Sequence, residues 1–154
     1  MKDADTKTRI LDAAEKLFAS NGFGAVSLRA IIKEAGVNTA SVHYHFGSKG
    51  GLMEAVLRRR AAPMNTERLR LLDGIESNHP TGVLPIEEVI EAFLAPAIRR
   101  HRGPARDRGL LPRLMGRAIT EPDQVVSKAI RKIFEEVFER FSAAFARALP
   151  ELSV

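Results

Sequence analysis

The stretch Ser27–Lys49, SLRAIIKEAGVNTASVHYHFGSK, limits the fold more than any other part of this 154-residue chain. Leu28, Ile31, Ile32 and Ala35 recur at i, i+3, i+4 and i+7, one apolar stripe along a helix. Ser27 precedes the stripe and is placed to cap it, its hydroxyl accepting from a first-turn amide that has no partner within the helix. Gly36 follows, and a residue without a Cβ reaches left-handed backbone angles cheaply, so the helix should stop there. Val37 returns to the core, and Asn38 or Thr39 can cap a second helix running from about Thr39 to His45. That helix should bury Val42 and Phe46 and turn Thr39, Ser41, His43 and Tyr44 outward. Two short helices meeting at a Gly-containing turn form a helix-turn-helix unit, whose second helix can lie in a major groove.

A helix–Gly–helix pattern alone fits an ordinary three-helix core equally well. The outward face separates the two. Ser, Thr, His and Tyr are neutral or switchable donors and acceptors, short enough to reach base edges or phosphate oxygens. A merely solvated face more often carries Glu and Lys.

The run TRILDAAEKLFASNGFGAVSLRAIIKEAGVNTASVHYHFGSKGGL resembles the N-terminal DNA-binding domain of the TetR (tetracycline-repressor-like) family of bacterial transcription regulators. ILDAAEKLFASNGF, the Ser before the second helix, AGV and YHFGSK carry the resemblance over about the first third of the chain. Ile32 stands where the family commonly has Ala, which suggests wider helix packing, and His43 stands where it commonly has Tyr, at a position that commonly touches DNA. The resemblance implies that Ser27 and Arg29 hold phosphates. It also implies that Thr39, Ala40, Ser41, His43 and Tyr44 face the groove, and that His45 and Lys49 anchor the DNA backbone. It further implies a homodimer on a double-stranded operator, acting as a repressor released by a small-molecule effector in the helical body. TetR-like proteins usually carry two more C-terminal helices that pair into a dimer interface. This chain stops at ALPELSV, so it is expected to be a fragment or a shortened relative that lacks them.

Bulk composition narrows the alternatives. Hydrophobic residues make up 45%, ordinary for a folded chain, and no apolar run approaches the ~18 to 20 residues of a membrane span. The N-terminus MKDADTKTR lacks the apolar segment of a secretory signal. With no cysteine, disulfides and thiolate metal sites are excluded, compatible with a cytoplasmic location. Lys and Arg total 24 against 19 acids, a net charge of +5 that favours approach to a polyanion without identifying one. The most basic span, Arg99–Arg117, has Asp107 as its single acid and lies outside the proposed reading unit.

The rest of the chain reads as helices. The first is expected from about Asp5 to Ser20, buried through Ile10, Ala13, Ala14, Leu17 and Phe18, with Thr6, Lys7 and Arg9 either meeting a phosphate or merely solvated. Ser48 should cap a long helix that buries Leu52, Met53, Val56 and Leu57, bends at Pro63 and stops near Asp73-Gly74. Arg58, Arg59 and Arg60 read as its solvated face, and the long helix is the candidate lever between head and body. Residues 74–85 read as a loop. A helix from about Ile86 to Arg100 should turn Val89, Ile90, Phe93, Leu94 and Ala97 inward, followed by the turn RRHRGPARDRG and a short helix from Leu110 to Ile119. The last helix, Pro122 to Leu149, places Val126, Ile130, Ile133, Phe134, Val137, Phe138, Phe141 and Phe145 on one face. That row is first a core. Phe93, Phe134, Phe138 and Phe141 are also the candidate lining of an apolar effector pocket.

Catalytic and metal chemistry find no support in the residues. GxGxxG and P-loop spacings are missing. His43 and His45 are two apart, on different helix sides, and His79 and His101 are expected to stand alone in polar loops. Glu87-Glu88 and Glu135-Glu136 read as solvated. The expectation is an all-α, non-enzymatic protein without metal or cofactor. A helix-turn-helix head over 1–48 would be joined by a long helix to a body over 49–154. The competing reading is a helical protein-interaction module that does not bind DNA.

Overall fold

In the computed structural model, which describes residues 2–101, 110–120 and 123–152, every regular element is helical. α1 spans Lys2–Asn21, α2 Leu28–Ala35, α3 Thr39–Phe46, α4 Lys49–Asn78, α5 Ile86–His101, α6 Leu110–Thr120 and α7 Gln124–Ala148, before a 3-10 turn at Pro150–Leu152. The all-α expectation holds. Most of the arginine-rich turn, residues 102–109, lies outside the described residues, as do Glu121 and Pro122, where the last helix was expected to open. That helix is instead capped by Asp123, whose carboxylate accepts from the amides of Val125 (2.8 Å) and Val126 (3.2 Å).

The chain forms two compact units that do not follow chain order: Met1–Arg60 with Gly109–Lys132, and Ala61–Arg108 with Ile133–Val154. In the first unit, Ile10, Ala14 and Phe18 of α1, Ile31 of α2, Val42 of α3 and Leu52, Val56 and Leu57 of α4 are fully buried. Spacings of four put the α1 residues, and Leu52 and Val56 of α4, on one face of each helix, and Ile31 and Val42 pack against them in a common core. Arg117 of α6 donates to the Ser20 carbonyl (2.7 Å), satisfying one of the free carbonyls at the end of α1. Glu54 accepts from Lys132 (2.8 Å) and Arg58 (2.7 Å), and these bonds hold its carboxyl below the usual range.

Two of the three arginines read as a solvated face are half-buried and paired. Glu15 of α1 is 2% exposed and accepts from both Arg59 and Arg60, while Arg59 also donates to Asp12 (2.7 Å). A buried carboxylate needs cations beside it, and α4 supplies two.

In the second unit, Leu72, Ile75, Leu84, Val89, Ala92, Val137, Phe141, Ala144 and Ala148 form one buried cluster, with Phe93 and Phe145 packed against it. Phe93 meets Phe141 edge-on at 5.1 Å between ring centres. Arg68 lies over the Phe93 ring (4.4 Å) and donates to the Phe93 carbonyl (2.8 Å); burial lowers its pKa from the ordinary value.

Three sequence expectations for this unit are corrected. α4 passes through Gly74 to Asn78, because Leu72 and Ile75 are both anchored in the cluster and Arg140 of α7 bonds Asp73 (2.7 Å) and Glu76 (2.6 Å). Tertiary contacts thus outweigh the ~1 kcal/mol that a helical glycine costs. On α5, Ile90 and Leu94 are exposed rather than inward; Val89, Ala92 and Pro96 form the buried side. On α7, Phe138 is 53% exposed and stacks on Phe134 at 5.9 Å, whereas Phe134 and Phe141 are buried.

Candidate nucleic-acid interface

Side-chain caps define the two helices of the motif. Ser27 takes extended angles (φ −93°, ψ 153°), and its Oγ accepts from the Ala30 amide (3.2 Å). Gly36 ends α2 in the left-handed region at φ 61°. Arg9 of α1 closes this turn by donating to the carbonyls of Ala35 (2.7 Å) and Gly36 (2.9 Å). Arg9 is exposed, and its guanidinium is engaged by this turn.

Asn38 is the cap of α3. Its Oδ1 accepts from the Ser41 amide (2.8 Å) and the Ser41 hydroxyl (2.9 Å). Val42 is fully buried and pins the inner face of α3. The side of α3 opposite that anchor faces away from the core. Thr39, Ala40 and His43 are exposed, Tyr44 is 79% exposed, and Ser41 is half-buried at the edge. Ser27 and Arg29 of α2 are exposed as well.

His43 is oriented by its own helix end. Its Nδ1 lies 3.0 Å from the Gly47 carbonyl, while the Gly47 amide donates back to the His43 carbonyl (2.9 Å). Tyr44 has no such tether among the described contacts; its ring meets the His45 ring edge-on at 5.0 Å.

The two residues expected to anchor the DNA backbone are engaged within the head. The His45 side chain is 9% exposed, with Nε2 3.1 Å from Asp3 of α1. Lys49 holds its ammonium 4.2 Å above the Phe23 ring. Burial lowers its pKa from the ordinary value, with Asp123 opposing the shift. The His45 imidazole is held by Asp3.

Gly51 does work that the sequence reading did not assign. A Cβ there would come within 2.2 Å of the Phe46 carbonyl oxygen, so the end of α3 meets the first turn of α4 without room for any side chain. Two adjacent glycines early in a helix were the available signal, since each costs helix stability unless close packing repays it. The Asp3–His45 and Arg9–Gly36 pairings left no local trace, because each joins residues distant in sequence.

Among the described residues, no group of three His, Cys, Asp or Glu side chains is placed to hold a metal ion. No described helix is long and apolar enough to cross a membrane.

The family model described as bacterial regulatory proteins, tetR family, matches residues 10–56, which contain α2 and α3. The model for the tetracyclin repressor-like C-terminal domain matches residues 91–154. The HTH-type transcriptional regulator UidR of Escherichia coli is 40% identical over 52 residues, covering 34% of this chain and 26% of UidR. The HTH-type transcriptional regulatory protein RaaS of Mycobacterium tuberculosis is 40% identical over 95 residues, covering 60% of this chain and 43% of RaaS. These matches span from about a quarter to under half of the relatives' lengths. The crystal structure of a putative tetR family transcription regulator from Shewanella sp. PV-4 has the same fold, with a TM-score of 0.57 at 23% identity over 92% of this chain and 70% of that one. With one family model on the helix-turn-helix and a second on the C-terminal helices, the chain belongs to the tetR family of bacterial regulatory proteins.

Proposed function

We propose that this chain is a DNA-binding transcriptional regulator of the cytoplasm. It reads an operator as a homodimer, with α3 of each copy in the major groove. The observation that carries the reading is the two-sidedness of α3: Val42 fully buried, Thr39, Ala40, His43 and Tyr44 exposed. A helix so pinned offers donors and acceptors at fixed positions, as base readout requires. Thr39, Ser41, His43 and Tyr44 meet bases or nearby phosphates, and Ser27, Arg29 and Lys49 meet the backbone. Members of this family are regulators, not enzymes, and the chain acts by binding alone.

The regulator is a repressor released by a small apolar effector in the helical body. Phe93, Phe134 and Phe141 supply apolar surface there, while Phe138 faces out and is the weakest of the four pocket candidates. α4 contributes residues to both compact units and is the element whose position an effector would bias. Release requires the effector to bind the operator-free state more tightly than the operator-bound one.

A fluorescence-anisotropy titration with random and promoter-derived DNA at 50 and 200 mM salt tests the reading. About 6 to 10 phosphate contacts per dimer would cost ~10³ to 10⁵ in affinity across that range. Arg29→Ala should weaken binding to every sequence alike, whereas Ser41→Ala should change which sequence is preferred. A second reading, a helical protein-interaction module, is favoured by exposed Ile90, Leu94 and Ile98 at four-residue spacing along α5. It predicts concentration-dependent assembly and no retention of DNA at either salt level.

A further inference from the structure

The imidazole of His43 is tied down at one nitrogen and open at the other. Nδ1 sits 3.0 Å from the Gly47 carbonyl oxygen. A carbonyl oxygen can only accept, so Nδ1 carries a hydrogen in every protonation state that keeps this contact. Nε2 is then the nitrogen left for an outside partner, and its chemistry depends on a single proton. In the neutral ring it is an acceptor; in the imidazolium it is a donor. His43 is exposed on α3, so Nε2 is free to meet a partner outside the head.

We infer that His43 is a proton-dependent base reader, exchanging its preferred base as the imidazole gains or loses its proton. The inference rests on the proposed DNA-binding function. In the major groove, cytosine presents an amino donor and guanine presents the acceptors O6 and N7. Neutral His43 therefore pairs with cytosine, and protonated His43 pairs with guanine. Adenine offers both an acceptor and a donor and is tolerated by either form, so the cytosine–guanine exchange is the sharpest signature.

The other charged and titratable groups around α3 do not offer the same switch. His45, the second imidazole, is covered and held at Nε2 by Asp3 of α1. Arg9 of α1 is committed to the Ala35 and Gly36 carbonyls, and Lys49 of α4 lies over Phe23. Arg29 and Lys33 of α2 are exposed cations, and Tyr44 is an exposed phenol; none of the three has a ring nitrogen that exchanges acceptor for donor on gaining one proton.

The test is selection of binding sites from a random duplex library by the full chain at pH 6 and at pH 8, with His43→Gln run in parallel. Glutamine both donates and accepts without titrating. The wild-type chain should enrich sites that differ at one base per half-site, guanine at pH 6 and cytosine at pH 8. Affinity for the pH 6 site should fall roughly tenfold by pH 8, the effect of losing one charge-assisted bond. His43→Gln should enrich the same sites at both pH values. Identical wild-type sites at both pH values would overturn the inference, as would an exchange that survives in His43→Gln. Uniform tightening at pH 6 with no change of base would put the imidazole on a phosphate and also overturn it. Enrichment of no sequence at either pH, with no salt-dependent retention of random DNA, would instead remove the DNA-binding function on which the inference stands.

Discussion

The two compact units of this chain are held together by different kinds of contact. In the first, side chains finish what the backbone leaves open: Ser27 and Asn38 cap helix starts, Arg9 and Arg117 cover helix ends, and Glu15 joins α1 to Arg59 and Arg60 of α4. In the second, an aliphatic and aromatic cluster dominates, with Phe93, Phe141 and Phe145 in ring contact and Arg140 clamping Asp73 and Glu76 from α7. A unit that must present a short helix with fixed geometry benefits from directional bonds. If the second unit takes up the proposed apolar effector, packing that has no direction of its own suits it.

The largest effect should come from the packed unit. Phe141 is 2% exposed and Phe138, one turn earlier on α7, is 53% exposed. Phe141→Ala should destabilise by ~3 to 5 kcal/mol through lost burial and a residual cavity. Phe138→Ala should stay within about 0.5 kcal/mol, as surface substitutions usually do. Urea unfolding of the full chain followed by far-ultraviolet circular dichroism measures both. Equal losses at the two positions would mean that α7 presents a different face to the cluster.

Glu15 tests the directional unit. Removing its carboxylate takes an ion-pair partner from each of two guanidiniums, but Arg59 keeps Asp12, and these side chains are 27% and 18% exposed, so water can reach them in part. Glu15→Ala should therefore cost on the order of 3 kcal/mol, at the lower end for a broken buried pair. Reversing the substitution's sign, with Glu15→Leu at least as stable as the wild type, would show that Glu15 serves geometry and not stability. Denaturation with urea at neutral pH reads the difference.

How far the sequence foretold each unit follows from these contacts. Ser27, Gly36 and the apolar stripe of α2 act within one turn of where they sit, so their roles were visible at once. Asn38 was one of two candidates, and only the structure chose it over Thr39. The internal contacts of Arg9 and His45 were not legible, because their partners lie far away in the chain, at Ala35–Gly36 and Asp3. In the body, Asp73-Gly74 looked like a helix end because local propensity says so; the buried Ile75 and the Arg140 clamp carry α4 onward. Ile90 and Leu94 were placed inward because α5 is apolar on more than one side, and periodicity cannot choose between sides.

The smallest effect is also the one that most directly ties stability to the reading face. Asn38→Ala removes the Oδ1 that accepts from the Ser41 amide and hydroxyl, and a lost N-cap costs ~1 kcal/mol. Asn38→Ser or Asn38→Asp should restore most of it, since both cap well. The two restoring variants then differ in what they leave to Ser41. An aspartate keeps a carboxylate oxygen for the Ser41 hydroxyl but adds a negative charge beside a proposed polyanion site; a serine adds none. Asn38→Asp should thus match Asn38→Ser in thermal stability yet bind DNA more weakly, with the gap narrowing as salt is raised. If the two bind equally at low salt, the start of α3 lies away from the phosphates, and the cap shapes the head without bearing on what the helix reads.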